Sequence, residues 1–407
     1  MVDSSSEQNR YKIAVITSSY PPKGGGIAAA HFNLAKCLQL EHDVRVFAFD
    51  DNERSQDVDI VRAKTPVWQA KILEWLARMW VMKYAPGESA VNCERIFRVI
   101  PAILSINRKL RAFKPDYIIC PDNYVPALVL KKTNKSIFLW VAHNNFRRFE
   151  GNPVATDYSW IDLLLAHRLE LRASRKADAF IAVSEYMLDV TLKTMEPVVP
   201  VRVIKNCIDT DYMSKIKPSK IRDKLGVNED TIVVYIPSGG TNIKGERYTF
   251  EIIRRLERLG NIAFFISGSI NNKLDFELNS LATDVKVYRP GLQCHSDNLR
   301  DVAACDLTIS PTLIENYSSA IIESLSLGVP VVTFDVGGNK ELITNNQNGF
   351  LVPYLDIEAL LEKSQALIID IDKLITMKQD AKLSVLNLSN TNKTILEYNS
   401  LFSELLQ

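Results

Sequence analysis

The sequence predicts an α/β protein built from two doubly wound, Rossmann-like domains that face a cleft. Three observations predict it. Apolar strand-like runs alternate with helical stretches, the alternation lapses near residues 195–210 and then restarts, and a chain of 407 residues is too long for one ordinary core. The expected organisation is a flexible N-terminus over 1–10, a first domain over 11–200 and a second over 201–385. A last helix over 386–407 should pack back on the first domain.

In the first half, "YKIAVITSSY" (11–20) has the continuous apolar pattern of a buried strand. "IAAAHFNLAKCLQL" follows it with helical spacing at Ile27, Phe32, Leu34 and Leu38. "DVRVFAFD" (43–50), "DYIICPD" (116–122), "SIFLWVAH" (136–143) and "DAFIAVS" (178–184) read as further strands. The second half repeats the scheme with "TIVVYIPSGG" (231–240), a helix from about 246, "IAFFISGS" (262–269), "VKVYRPG" (285–291), "DLTISP" (306–311) and "VPVVTFDVGG" (329–338). The final "TILEYNSLFSELLQ" sets Ile395, Tyr398, Phe402 and Leu405 on one helical face, which must pack on something. In such sheets ligands bind beyond the carboxyl ends of the strands.

A hydrophobic content of 46% with 24% charged residues is that of a soluble globular protein. No stretch approaches the roughly 20 apolar residues that cross a bilayer, and "MVDSSSEQNR" has no signal-peptide core. Six scattered cysteines without Cys-x-x-Cys spacing read as free thiols in a reducing compartment, so a cytoplasmic protein is expected. The charge is uneven: residues 1–200 carry 27 Lys/Arg against 22 Asp/Glu, and the remaining 207 carry 22 against 26. Residues 61–150 hold 16 basic side chains and 6 acidic ones, which suits an anionic partner such as membrane headgroups, phosphorylated lipids or nucleic acid. Within that region "TPVWQAKILEWLARMWVMKYAP" (65–86) sets Trp68, Ile72, Trp75, Leu76, Met79 and Trp80 near one side of a helix, with Lys71, Arg78 and Lys83 elsewhere. This is either a core-facing helix or one that lies in the headgroup layer of an anionic membrane. The basic excess favours the membrane.

Three glycine loops follow strand-like runs. In "PPKGGGIAAA", Gly24, Gly26 and Ala29 fit the spacing Gly-x-Gly-x-x-Ala, and Asp50 closes a second strand. But "TSSYPPK" separates the strand from the first glycine, which argues against a nicotinamide site. The amides of Gly24, Gly25 and Gly26 then either approach a phosphate or sugar or form a surface turn. "SGGTNIKGERYTF" brings Gly240, Lys244 and Gly245 to a helix start, a suitable cradle for a diphosphate or else a solvated surface. "DVGGNKEL" is the third. His143 ends a strand and should point into the cleft unless it is a satisfied structural residue. Lys23, Arg147 and Arg148 are acceptor-phosphate contacts or solvated charges, with solvation favoured for each singly. In "TLIENYSSAIIESL", Glu315 and Glu323 either share one helix or flank its start.

Residues 309–352, "ISPTLIENYSSAIIESLSLGVPVVTFDVGGNKELITNNQNGFLV", resemble the family 4 retaining glycosyltransferases of the GT-B fold. They carry its two glutamates with seven residues between them, its Gly-x-Pro-Val-Val strand and its Gly-Gly-x-x-Glu-Leu-Ile loop. "ADAFIAVSEYM", "VIKNCIDTDYM" and "PPKGGGI" fit the family's other stretches in order. The resemblance implies that Glu315 lies on a loop facing the donor sugar and that Glu323, on the next helix, holds the ribose hydroxyls. The amides of Asn316, Tyr317, Ser318 and Ser319 would meet sugar and diphosphate. Gly240 and Arg289 join the donor-binding set, Lys244 and His143 the catalytic one, and Gly24–Gly26 the acceptor and phosphate loop. It also implies a nucleotide-sugar donor, a glycan or lipid-linked acceptor of bacterial cell-surface polysaccharide, peripheral contact with an anionic membrane, no nucleic acid partner, no metal and no cofactor. Departure and attack would share one face. The chain departs from the pattern at Gly239, where an arginine is common, at Asn316 in place of glycine, and at Lys205 and Cys207. Lys244 with backbone amides, or Arg247 or Lys340, would replace the missing charge. Two other readings share the site: a GT-B epimerase of nucleotide-sugars and a catalytically silent sugar-nucleotide binder.

Overall fold

The computed structural model describes residues 10–21, 26–51, 59–133, 135–152, 154–155, 158–281, 285–388 and 390–406. The chain forms two compact units. Unit 1 runs to Val183 and takes in Leu188–Ile204 and the stretch from Thr394; unit 2 comprises Ser184–Met187 and Lys205–Lys393.

Unit 1 is a seven-stranded sheet of β1 (Lys12–Thr17), β2 (Asp43–Ala48), β3 (Ile60–Arg62), β4 (Tyr117–Pro121), β5 (Ile137–Ala142), β6 (Ala179–Ala182) and β7 (Val201–Val203), in the order β3-β2-β1-β4-β5-β6-β7. Every pairing is parallel. All residues of β4 and β6 are buried, as expected where both faces of a parallel sheet are covered. Unit 2 repeats the plan with β8 (Ile232–Ile236), β9 (Ile262–Ser267), β10 (Lys286–Gly291), β11 (Leu307–Ser310), β12 (Val331–Phe334) and β13 (Gly349–Val352), in the order β10-β9-β8-β11-β12-β13. Each sheet reverses its strand order once, between β1 and β4 and between β8 and β11. The loops leaving those neighbouring strands splay apart, which makes the reversal the natural binding point of each unit.

The long apolar runs form the strands expected of them. β3, β7 and β13 were not foreseen. They are edge strands of three or four residues, and the neighbour they pair with, more than their own composition, makes them strands. The Val67–Met82 helix forms, but Trp80 does not share a side with Trp68 and Trp75. It turns inward and stacks on Phe97 at 5.7 Å. All six cysteines are free thiols.

The helix Thr391–Leu405 ends the chain against the amino ends of β1 and β4 in unit 1. Phe402 is fully buried and stacks on Tyr117 at 3.9 Å, while the Tyr117 hydroxyl donates to the Phe402 carbonyl at 3.0 Å. His42 Nε2 meets Asn399 Oδ1 at 2.8 Å, and Arg202 pairs with Glu404 at 2.7 Å. Leu401 completes the buried face where Leu405 was expected; Leu405 is only half-buried. Removing the Phe402 ring leaves a cavity under Tyr117, so Phe402→Ala should lower the stability of unit 1 by about 3–5 kcal/mol. All five tryptophans lie in unit 1, so urea unfolding followed by their fluorescence reads it directly. A loss below about 1 kcal/mol would mean that the ring does not anchor the helix.

Candidate active site

The reversal in unit 2 is lined by the loops after β8 and β11. The β8 loop passes Gly239 and Gly240, makes a short helical turn at Asn242–Lys244 and ends on Gly245 at φ 86°, which starts the helix Glu246–Leu256. A Cβ on Gly245 would lie 2.0 Å from the Pro311 carbonyl oxygen, so only glycine permits this approach. Two residues earlier, the Ile243 carbonyl accepts from the amides of Leu313 at 2.9 Å and Ile314 at 3.3 Å. The two loops are thereby fastened backbone to backbone. That contact brings Lys244 Nζ to Glu315 Oε2 at 2.5 Å, with the lysine side chain 30% and the glutamate 13% exposed. Glu315 Oε1 accepts from the Asn316 amide at 3.1 Å.

The helix begins between the two glutamates, at Ser319–Ser326, with Ser318 as its N-cap accepting from the Ile321 amide at 3.4 Å. Glu315 therefore belongs to the loop and Glu323 to the helix. Glu323 is buried and bonded to His295 Nε2 at 2.8 Å. His295 opens the helix His295–Val302. Burial alone would lower its pKa, but the hydrogen bond and charge of Glu323 outweigh that, and the net shift is upward. Sequence reasoning missed His295 because nothing in "LQCHSDNL" marks it. Tyr317 is buried with the Lys205 ammonium 5.6 Å from its ring centre, and Lys205 pairs with Glu341 at 2.9 Å. That contact gives the unexpected Lys205 a partner.

Several expected residues do other work. A Cβ on Gly337 would lie 1.9 Å from the Glu315 carbonyl oxygen and one on Gly338 2.1 Å from that of Asn316. The third glycine loop thus serves close backbone packing beneath the glutamate loop. Gly240 is likewise pressed against Ser269 and Ile270, 2.3 Å from the nearest atom to its would-be Cβ. At Gly239 a side chain would start 2.8 Å from Ile236 Cγ2 and 3.2 Å from Ile266 Cγ2, so an arginine does not fit this backbone. Arg289 spends its guanidinium on Asp275 at 3.0 Å and Asn279 at 2.6 Å, away from the glutamates, and Arg247 lies over Tyr248 at 4.9 Å. Lys340 is exposed.

In unit 1, Gly26 opens the helix Gly26–Leu38; Gly24, Gly25 and Lys23 lie outside the described residues. His143 follows β5 and is buried edge-on to His31 at 5.2 Å. Burial, and then the charge of Arg148, lower its pKa to about 4, so the imidazole is neutral near pH 7. Its loop is tied down by Asp122, which accepts from the amides of Asn144 at 2.7 Å and Asn145 at 3.0 Å. Arg148 is not simply solvated: it covers the Phe149 ring at 4.5 Å, and Arg147 pairs with Glu150 at 2.8 Å. Beside them a pocket of about 120 Å³ is lined by Asn123, Tyr124, Asn144, Phe146 and Tyr158, among others.

Two carboxylates that can accept from vicinal hydroxyls, one ammonium and a helix N-terminus suit a ligand with both sugar hydroxyls and phosphate. Comparison with known proteins agrees. Residues 24–212 match the family described as Glycosyltransferase Family 4, and residues 218–384 match Glycosyl transferases group 1. The α-maltose-1-phosphate synthase of Mycolicibacterium smegmatis is 26% identical over 50% of this chain and 57% of its own. The UDP-Gal:α-D-GlcNAc-diphosphoundecaprenol α-1,3-galactosyltransferase of Escherichia coli is 22% identical over 62% of this chain and 63% of its own. The chain therefore spans less than two thirds of the length of either relative. The solved structure of Anabaena HepE in complex with UDP-glucose shares the fold, with a TM-score of 0.71 at 18% identity over 97% of this chain and 100% of that one.

The raised pKa of His295 sets a pH dependence. Its pairing with Glu323 stabilises unit 2 fully below the unfolded histidine value of about 6.5 and is lost as the pH climbs through the higher native value. In urea melts, the stability margin of wild type over His295→Gln should be largest near pH 6 and shrink toward about pH 9. A margin that is flat or grows with pH would contradict the charged pair.

Proposed function

The chain belongs to the family 4 GT-B glycosyltransferases. From that premise we propose that it moves a hexose-type sugar, with retention of anomeric configuration, from a nucleotide-sugar to a lipid-linked glycan acceptor at an anionic membrane. The observation that carries the donor half of this reading is the Lys244–Glu315 pair beside the N-terminus of the Ser319–Ser326 helix, with Glu323 one turn further in. Lys244 and the amides at that helix start neutralise the diphosphate. Because these charges are fixed in place before the bond breaks, they can stabilise the departing nucleoside diphosphate without a divalent cation. Glu315 accepts hydrogen bonds from the donor sugar and Glu323 from the ribose diol. The sugar–oxygen bond breaks toward the diphosphate, and the departing phosphate oxygen takes the proton of the acceptor hydroxyl attacking on the same face.

The acceptor falls to unit 1. The pocket of amide and aromatic side chains there suits the hydroxyls and apolar faces of a sugar ring, and a neutral His143 suits a hydrogen bond to a hydroxyl. UDP is the first nucleotide to test, because the E. coli relative is named for UDP-Gal and the Anabaena structure holds UDP-glucose. A lipid-linked acceptor is supported by the same E. coli name.

Titration calorimetry with UDP and uridine tests the donor site. Glu323→Ala loses a charge-assisted pair of hydrogen bonds and should bind UDP about 1.5–3 kcal/mol more weakly, roughly ten- to hundredfold. Lys244→Ala should lose UDP and keep uridine. Glu315→Ala should keep UDP and lose turnover with radiolabelled nucleotide-sugars, where the wild type yields a transferred sugar and no epimerised donor. UDP binding unchanged in both the Glu323 and Lys244 variants would overturn the assignment.

A further inference from the structure

The helix Val67–Met82 buries only Ala77 and Val81 among its residues. Its inner side is fixed by Trp80 stacked on Phe97, and Glu74 lies within 3.9 Å of Arg98 on the neighbouring helix Val91–Phe113. Its outer side carries Trp68 at 64% exposure, Ile72 at 50%, Trp75 at 58% and Met79 at 46%, positions that recur at helical spacing and so form one continuous stripe. Leu76 widens it. Tryptophan buries up to about 250 Å² when covered, and a solvent-facing stripe of this size is uncommon on a protein that meets nothing there. Exposed Lys71 and Arg78 follow one border of the stripe and Lys83 lies at its end. At the foot of the helix a groove of about 310 Å³ is lined by Lys64, Lys71 and Arg98 together with Glu74 and Asp50, the last holding Arg98 at 2.8 Å.

We propose that this outer face is a docking surface for an anionic lipid bilayer, with the helix lying in the headgroup layer. Trp68, Ile72, Trp75 and Met79 enter the acyl boundary, and Lys64, Lys71 and Lys83 meet lipid phosphates, beside Arg78, which pairs with Glu94 at 2.8 Å. Charge decides for a bilayer over a second protein surface: residues 61–150 hold 16 basic side chains against 6 acidic ones, and one border of the stripe is basic. The helix lies on the membrane and does not cross it. Sixteen residues span about 24 Å, short of the ~30 Å hydrocarbon core, and no described helix is long and apolar enough to cross. The inference deepens the proposed lipid-linked acceptor by naming the face that reaches the lipid, and it rests on that reading only for its purpose.

Vesicle sedimentation with full-length protein tests it without nucleotide or turnover, so its failure is separable from failure of the transferase reading. Vesicles of equal phosphatidylglycerol and phosphatidylcholine should pellet the protein at low salt at least tenfold more efficiently than phosphatidylcholine alone. High salt should release most of it. A Trp68→Glu, Trp75→Glu double variant should lose tenfold or more in partitioning while keeping its thermal melting curve, since both rings are exposed. A Lys71→Gln, Arg78→Gln, Lys83→Gln variant should lose the preference for the anionic vesicles. Equal pelleting by the two vesicle types, or full binding by the melting-competent tryptophan variant, overturns the proposal. So does a wild-type dimer in sedimentation velocity that the tryptophan variant converts to monomer without any vesicle binding, since that would make the face a contact between copies.

Discussion

The site in unit 2 depends on one backbone contact, the fastening of the β8 loop to the β11 loop through the Ile243 carbonyl and the Gly245–Pro311 approach. Two parallel strands at a sheet's reversal send their loops in different directions, so nothing in the sheet itself keeps those loops together. A carbonyl shared by two amides does, and it is possible only because residue 245 has no side chain and tolerates a positive φ. Lys244 and Glu315 sit one residue on from this fastening, one in each loop. Their meeting follows from the backbone, and the start of the helix that bears Glu323 follows four residues later.

The same arrangement gives both carboxylates a partner, Glu315 the Lys244 ammonium and Glu323 the His295 imidazole. A half-buried carboxylate without a partner would be costly, and each pair removes that cost while leaving the carboxylate oxygens oriented. A polyhydroxylated ligand then meets acceptors already in place. The glycines behind the loop extend this logic. Gly337 and Gly338 let a third segment lie against the Glu315–Asn316 backbone, so the loop is supported from beneath by main chain rather than by adaptable side chains.

Much of this was legible in the sequence, and the parts that were not share a cause. Continuous apolar runs announce themselves as strands. The two glutamates, with seven residues between them, leave a shared helix and an intervening helix start equally open, and only the family resemblance places the first on a loop. β3 and β7, of three residues each, are too short to carry a pattern, and they and β13 exist because a neighbour offers its edge. Arg289 at a strand end looks like a ligand group until Asp275 and Asn279, on a helix between the strands, take it. His295 has no local signature at all; only the fold brings it to Glu323. Periodicity grouped Trp80 with Trp68 and Trp75 because helical spacing alone cannot place the boundary of a face that Phe97 draws in space. Gly239 was readable as a departure, but the reason, the proximity of Ile236 and Ile266, was not.

The central claim is that the fastened loops and the start of the Ser319–Ser326 helix hold a nucleoside diphosphate within unit 2. Amide hydrogen exchange with and without saturating UDP tests it most directly, because it reads every backbone segment at once. Ligand-dependent protection should concentrate in residues 240–246 and 316–323, with the Tyr117–Pro121 and Ile137–Ala142 strands of unit 1 unchanged. Protection confined to unit 1, with both of those segments exchanging as in the free protein, would contradict it.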